Sequence, residues 1–469
     1  MTTLTHRTVL TREKRKGSIA AFSGQAQGLA KEGREGGLVQ RVRTFAQDAP
    51  SDLQRALSIL RTIRGLAIVV HGPAGCAASL GGGFQDTAPW IVTGINERDS
   101  IMGGDRKLRA AIHQIHAAHA PAVIAVVATP VVAINNDDIE SVVTEVNEEL
   151  GIPIIPVLTD GFRSKIAGSG YDAVIHALLR EQLWHPAGER GAHLNLLSVA
   201  EKSQDVQALK ALLRELDAEV EVFPRHGNAQ AFHRVPEARL SVSIDPDESE
   251  YAGQVLQEQR GIPFLSLDVP VGLDNTGRWL SAIGAALERP GLAQAVIARH
   301  EEQLAPLKER LARHQGARVF VNLPAALAFA LVPFLESLGL TLAALEITAL
   351  SQDQDSRLQA FAQGHPEVPL LVGEGQIFEE VNLLRNLAPD LYLGSGQAAV
   401  HALRLGIPVL DLQHLPILGY LGAAALVEAL ERSLSNTSLA GFLAEPAERR
   451  YAKGWLAKST HWFIKHEVK

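Results

Sequence analysis

Among 469 residues there is a single cysteine, Cys76. A chain with one thiol forms no internal disulfide, which fits a reducing compartment. It also supplies only a fraction of an iron–sulfur cluster, which takes four protein ligands, mostly thiolates. Cys-x-x-Cys, His-Glu-x-x-His and Ser-His-Asp signatures are missing, so neither a zinc centre nor a triad hydrolase is indicated. The Gly-Lys-Ser/Thr segment of a P-loop nucleotide hydrolase is missing as well. No apolar run reaches the roughly 18 residues of a membrane span. The basic amino terminus (Arg7, Arg12, Lys14, Arg15, Lys16) has no apolar stretch behind it. These absences predict a cytoplasmic protein with no membrane contact. Positive charge is in deficit, 44 Lys and Arg against 52 Asp and Glu, which gives no footing for nucleic acid.

What is present is a large core. The chain is 46% hydrophobic and 20% charged, and its length calls for about three domains. Short runs rich in Val, Ile and Leu recur: Leu66 to Val70, Ala122 to Val127, Ile154 to Leu158, Leu194 to Ser198, Glu219 to Phe223, Leu240 to Ile244, Pro263 to Leu267, Arg318 to Val321, Leu342 to Ile347, Leu370 to Val372, Leu391 to Leu393 and Pro408 to Leu412. They are continuously apolar rather than alternating, the mark of parallel strands covered on both faces. Helical patterns lie between them, among them Lys107 to Ala118, Asp138 to Leu150, Gln204 to Leu216, Tyr251 to Arg260 and Ala325 to Leu338. The alternation predicts an α/β chain of three Rossmann-like domains with mainly parallel sheets flanked by helices. The expected divisions are an N-terminal extension 1–40, domains at 41–190, 191–315 and 316–432, and a tail 433–469. The second domain includes a long charged connector helix from Ala293 to Gln315.

In such sheets ligands gather where strands end and helices begin. Cys76 lies there, in His71-Gly72-Pro73-Ala74-Gly75-Cys76, directly after an apolar strand. A lone cysteine is often a buried small hydrophobe, whereas this glycine–proline turn favours a placed sulfur. Two glycine patterns suggest a dinucleotide: Gly394-Ser395-Gly396-Gln397-Ala398-Ala399 after a strand, and Gly168-Ser169-Gly170-Tyr171-Asp172-Ala173 after a loop. Only 17 residues separate Gly394 from Asp411, the acid ending the next strand, a cramped interval for a nicotinamide or sugar-nucleotide site. Asn135-Asn136-Asp137-Asp138 and Asp245-Pro246-Asp247-Glu248-Ser249-Glu250 read first as helix caps.

Several of these segments, taken together, resemble a family. The Cys76 turn, the stretch Gly94-Ile95-Asn96-Glu97-Arg98-Asp99-Ser100-Ile101-Met102-Gly103-Gly104-Asp105-Arg106-Lys107-Leu108 and the run Thr129 to Ile139 look like the first domain of nitrogenase component 1 and its relatives. Leu194-Asn195-Leu196-Leu197, Gly261-Ile262-Pro263, Pro270 to Thr276, Gly394-Ser395-Gly396 and Gly406-Ile407-Pro408 continue the resemblance in order, over roughly residues 40 to 430. The family includes catalytic nitrogenase subunits, scaffold pairs that mature the nitrogenase cofactor, and tetrapyrrole reductases.

The departures from the family pattern are informative. Cluster-rich members carry three cysteines, at positions corresponding here to the region of Asp48, to Cys76 and to Pro130; only Cys76 remains. The chain therefore resembles the β-type subunit of the cofactor-scaffold pair. The resemblance implies a [4Fe-4S] cluster shared with an α-type partner, with Cys76 as this chain's ligand and Gly72, Pro73 and Gly75 as the flanking turn. It also implies a heterodimer, doubled to α2β2, and an ATP-dependent iron protein as electron donor. The cysteine that anchors the nitrogenase active-site cofactor falls near Asp245, so no covalently anchored cofactor is expected; His414, near the anchoring histidine, would line a pocket. The leading expectation is a non-cofactor-bearing subunit of a nitrogenase-like two-component reductase. A non-catalytic scaffold subunit is the alternative, and an NAD- or sugar-nucleotide-binding α/β enzyme the second.

Overall fold

The computed structural model describes residues 4, 6–36, 38, 50–78, 88–162, 164–184, 188–198, 200–396 and 398–444. The strands, in chain order, begin with β1 (Phe22–Gln25), β2 (Leu66–His71), β3 (Trp90–Val92), β4 (Val123–Ala128) and β5 (Ile154–Val157). Next come β6 (Leu194–Ser198), β7 (Val220–Pro224), β8 (Leu240–Ser243) and β9 (Phe264–Leu265). The last group is β10 (Arg318–Leu323), β11 (Thr341–Ile347), β12 (Pro369–Val372), β13 (Leu391–Gly394) and β14 (Val409–Asp411). They build three sheets, ordered β3-β2-β4-β5, β7-β6-β8-β9 and β1-β12-β11-β10-β13-β14. Every pairing is parallel except that of β1 with β12.

The chain forms two compact units. One contains Met1–Arg15, Pro50–Glu201 and Ala218–Leu267; the other contains Lys16–Ala49, Lys202–Asp217 and Asp268–Lys469. The first unit holds the first two sheets. In β2 and β4 every residue is buried, and the pleat sorts them by face. Leu66, Ile68, Val70, Val123, Ala125 and Val127 join one core with the helices Asp52–Leu60 and Ser169–Trp184. Ala67, Val69, Ile124, Val126 and Ala128 join another with the helices Asp105–His119 and Ile139–Leu150. Two covered faces explain the absence of alternation in the sequence.

In the second unit the order β12-β11-β10-β13-β14 places the first parallel strand in the middle, with the connections reversing between β10 and β13. That reversal is a topological switch point. The first sheet has its own between β2 and β4, and the second has one between β6 and β8.

Three details differ from the sequence reading. β1 lies in the 1–40 stretch, where no strand is expected, and adds an antiparallel edge to the last sheet. Short β3 extends the first sheet at its edge. The connector is broken: a helix Pro290–Leu304 ends before Pro306, and a short helix Leu307–Arg310 follows, because proline cannot donate the next helical hydrogen bond.

Candidate functional site at the carboxyl end of the first sheet

β2 pairs with β4 so that His71 faces Ala128. The two loops leaving this switch point are therefore neighbours, His71–Ala78 on one side and Thr129–Asp138 on the other. The first carries Cys76 and the second Pro130, so two of the three family cysteine positions meet at this edge. The third, around Asp48, lies outside the described residues, as do 79–83 of the same loop, Gln397 and 445–469 of the tail. The chain re-enters description at Pro50, and Asp52 accepts hydrogen bonds from Asp160 N at 3.3 Å and Gly161 N at 2.8 Å. A Cβ on Gly161 would lie 2.7 Å from Pro130 Cγ. The 50–52 segment thus converges on the same edge.

Cys76 is half-buried in a short helix, Ala74–Ala78, and its amide donates to Pro73 O at 3.1 Å. Gly75 is exposed, and a Cβ there would meet nothing within 4 Å among the described residues. Gly72 works differently: its amide donates to Thr93 Oγ1 at 3.0 Å, and a Cβ would lie 2.1 Å from Thr129 Oγ1. Its missing side chain makes room for Thr129, which is fully buried with no hydrogen-bond partner for Oγ1 among the described residues. The Gly72 N–H is thereby committed to Thr93. Gly72→Ala is expected to destabilise the first unit by about 1–3 kcal/mol through overpacking. In Thr129→Ala the same change should cost less, a coupling that a double-mutant cycle read by hydrogen exchange of the β2 and β4 amides measures.

His71 and Asp137 form a pair that the sequence analysis did not see. His71 is fully buried; its Nδ1 lies 3.0 Å from Thr93 Oγ1, and its Nε2 lies 3.2 Å from Asp137 Oδ2, a charge contact short of a well-directed hydrogen bond. Burial holds the imidazole below its ordinary range, with Asp137 pulling the other way. Gly104 packs against both groups; a Cβ there would lie 2.7 Å from His71 Cε1 and 2.8 Å from Asp137 Oδ2. Lys107 Nζ reaches Gly94 O at 2.6 Å and Asp99 at 2.7 Å, while Asn96 and Asp99 close a capping box. The family-like stretch 94–107 is thereby clamped over the end of β2. Asp138 caps the helix Ile139–Leu150 as expected, accepting from Ser141 N at 3.1 Å.

Large apolar side chains crown this edge. Ile101 and Met102, ending the helix Glu97–Met102, are 82% and 76% exposed, and Ile134 in the adjoining helix Pro130–Asn135 is 71% exposed. Exposed apolar clusters of this kind mark surfaces that another protein covers.

The remaining sequence candidates lie elsewhere. His414 is exposed, in the loop between β14 and the helix Gly419–Ser435. Asp245 Oδ1 accepts from Asp247 N at 2.8 Å and Glu248 N at 3.2 Å, an Asx-type turn. Gly394 is needed because a Cβ would come within 2.9 Å of the Tyr392 ring and 3.0 Å of Asn322 O, and Asp411 bonds its own loop at Gln413 N, 2.8 Å. These glycines and this acid have structural duties, which removes the basis for a dinucleotide site.

Among the described residues no group of three or more His, Cys, Asp or Glu could hold a metal. One thiolate on an open turn fits an iron–sulfur cluster only where another chain supplies the other ligands. Within that limit the residues fit.

Comparisons with known proteins agree with this geometry. The model of the family "Nitrogenase component 1 type Oxidoreductase" matches residues 53–435. The nitrogenase iron-molybdenum cofactor biosynthesis protein NifE of Nostoc sp. is 26% identical over 394 residues, 78% of this chain and 79% of that one. NifE of Rhodobacter capsulatus is 24% identical over 433 residues, covering 86% and 88%. Among solved structures, "Nitrogenase Cp1 at pH 6.5" superposes with a TM-score of 0.75 over 87% of this chain and 93% of that one, at 16% identity, so the fold is shared. The family model spans most of the chain and the fold agrees with it, so the chain belongs to the nitrogenase component 1 type oxidoreductases.

Proposed function

We propose that this chain is a subunit of a scaffold on which a nitrogenase-type iron–sulfur cofactor is assembled, and that Cys76 is its ligand to a [4Fe-4S] cluster shared with a partner chain. The observation that carries the assembly role is the run of NifE relatives, named for cofactor biosynthesis and similar over most of both chains. It favours a scaffold over the electron-receiving reductase expected first from sequence. The shared ligation is supported by the lone, half-buried thiol at the first sheet's switch point and by the exposed Ile101, Met102 and Ile134 on the same edge. An iron–sulfur cluster there would supply electron storage. The chain's own part is to hold the thiolate on a rigid turn, through Thr93, Thr129 and Pro73, and to cover one side of the group.

The test is anaerobic co-purification with the partner encoded beside it, comparing the native chain with Cys76→Ala. About one [4Fe-4S] cluster per heterodimer is expected, with iron content and the electron paramagnetic resonance signal lost or altered in the variant. An unchanged signal overturns the ligand assignment. The assembly role predicts transfer of a cofactor precursor from the complex to an apo-acceptor without substrate turnover; substrate reduction by the complex itself would overturn it.

A further inference from the structure

By sequence the amino terminus is a basic run with no apolar stretch behind it. In the structure two of its cations are buried: the side chain of Arg12 is 3% exposed and that of Arg15 is 7% exposed. Arg12 lays Nε and Nη2 on the two oxygens of Asp172, each at 3.2 Å, and Nη1 on Asp247 at 2.8 Å. Arg15 bonds Asp172 at 2.8 Å and Glu250 at 3.3 Å, and its guanidinium stands 5.2 Å from the Tyr251 ring centroid. Between them Glu13 accepts from Ser164 Oγ at 2.8 Å and Lys165 N at 2.6 Å. Upstream, the His6 carbonyl meets His176 Nε2 at 2.9 Å, while His176 Nδ1 faces the Tyr251 hydroxyl at 2.7 Å.

The place these groups occupy matters. Asp245 to Glu250 follow β8 at the second sheet's switch point, tied to β6 by Ile244 N on Leu197 O at 3.2 Å and Ser249 Oγ on Leu197 O at 2.9 Å. Open α/β sheets take their ligands at this point. Here the chain's own Arg12 reaches it. Residues Arg7 to Thr11 also line a cavity of about 40 Å³ of mixed polarity, whose walls include Asp52, Asp160, His176, Pro156 and Leu158.

We propose that residues 6–15 are a detachable strap fastened over the carboxyl end of β8, with Arg12 as plug and Glu13 and Arg15 as fasteners. What holds it is mostly polar. Leu10 is 53% exposed and the helix Arg12–Lys16 has only five residues, too few to stand alone. Buried ion pairs repay little more than their own desolvation, so the strap opens at lower cost than the core beneath it. Behind Arg12, burial and the facing carboxylate of Asp247 push Asp245 up to about 6, and burial with Asp245 raises Glu248. Lifting the strap therefore takes Arg12 from Asp247 and Arg15 from Glu250 and leaves this carboxylate cluster with less positive charge beside it. This inference does not depend on the cluster assignment.

Trypsin reads it directly, because cleavage after Arg12 or Arg15 requires the buried side chain to leave its pocket. In the full-length protein both bonds are expected to be cut while the amides of β2 and β4 remain protected from hydrogen exchange. Asp247→Asn, at a part-exposed position, and Arg12→Gln should each speed cleavage after Arg15 about tenfold or more, with β2 and β4 exchange unchanged. Cleavage no faster than the exchange of β2 and β4, or equal rates in both variants and the native chain, would show a fixed element and overturn the proposal.

Discussion

Gly170→Ala is expected to be among the most damaging single-methyl additions to the first unit, costing about 3 kcal/mol. A Cβ at Gly170 would stand 2.0 Å from Asp52 O, 2.8 Å from its carbonyl carbon and 3.0 Å from Ala56 N. These are backbone atoms of the helix Asp52–Leu60, so no rotamer change relieves the clash; the two helices must separate. They share one core on the first sheet, with Leu53, Leu57 and Leu60 against Val174 and Leu178. The damage would travel to the functional edge, since the Asp52 carboxylate holds the amides of Asp160 and Gly161, and Gly161 packs on Pro130. Gly75→Ala is the control: its Cβ would meet nothing within 4 Å among the described residues, so stability should change by no more than about 0.5 kcal/mol. Hydrogen exchange of β2 and β4 amides is the appropriate measurement, because a chain of two units has no single unfolding free energy. Equal protection in Gly170→Ala and the native chain would refute the close approach.

This also settles what the Gly168-Ser169-Gly170 pattern is for. It resembles a nucleotide turn, yet Gly170 serves a helix crossing, and a Cβ on Gly168 would lie 3.1 Å from the Arg12 guanidinium carbon. Sequence spacing cannot separate the two uses, because both ask for the same absent side chain.

The parallel strands were legible because burial on both faces leaves an unbroken apolar run, as in Leu66 to Val70. β1 was not, since Phe-Ser-Gly-Gln carries no such run and owes its conformation to an edge pairing with β12, more than 340 residues away in sequence. At the functional edge Cys76 and the neighbouring loops could be placed from the order of strands. The His71–Asp137 pair could not, because a histidine ending a strand and an acid before a helix each have an ordinary local explanation. The burial of Arg12 and Arg15 was not legible either, because the carboxylates of Asp172, Asp247 and Glu250 that hold them lie more than 150 residues away in sequence.

Asp205→Ala should have a comparable effect in the second unit, about 2–5 kcal/mol, and Asp205→Asn much less. Asp205, in the helix Ser203–Glu215, is 1% exposed, and its Oδ1 accepts from Ile417 N at 2.7 Å and Leu418 N at 2.9 Å. Burial raises its carboxyl above the usual range even though Lys202 and these amides oppose the change. The charge is therefore not what makes it valuable; the acceptor is. Alanine leaves two buried N–H groups without a partner, whereas asparagine keeps the carbonyl oxygen in place. Lys202 loses an ion pair at 3.7 Å in either variant but retains its bond to Leu412 O at 2.9 Å. Asp205 and Lys202 together fasten both ends of the loop that displays His414. Fast exchange of the Ile417 and Leu418 amides in Asp205→Ala, with near-native protection in Asp205→Asn, is the expected pattern. Equal loss in the two variants would assign the role to the charge instead.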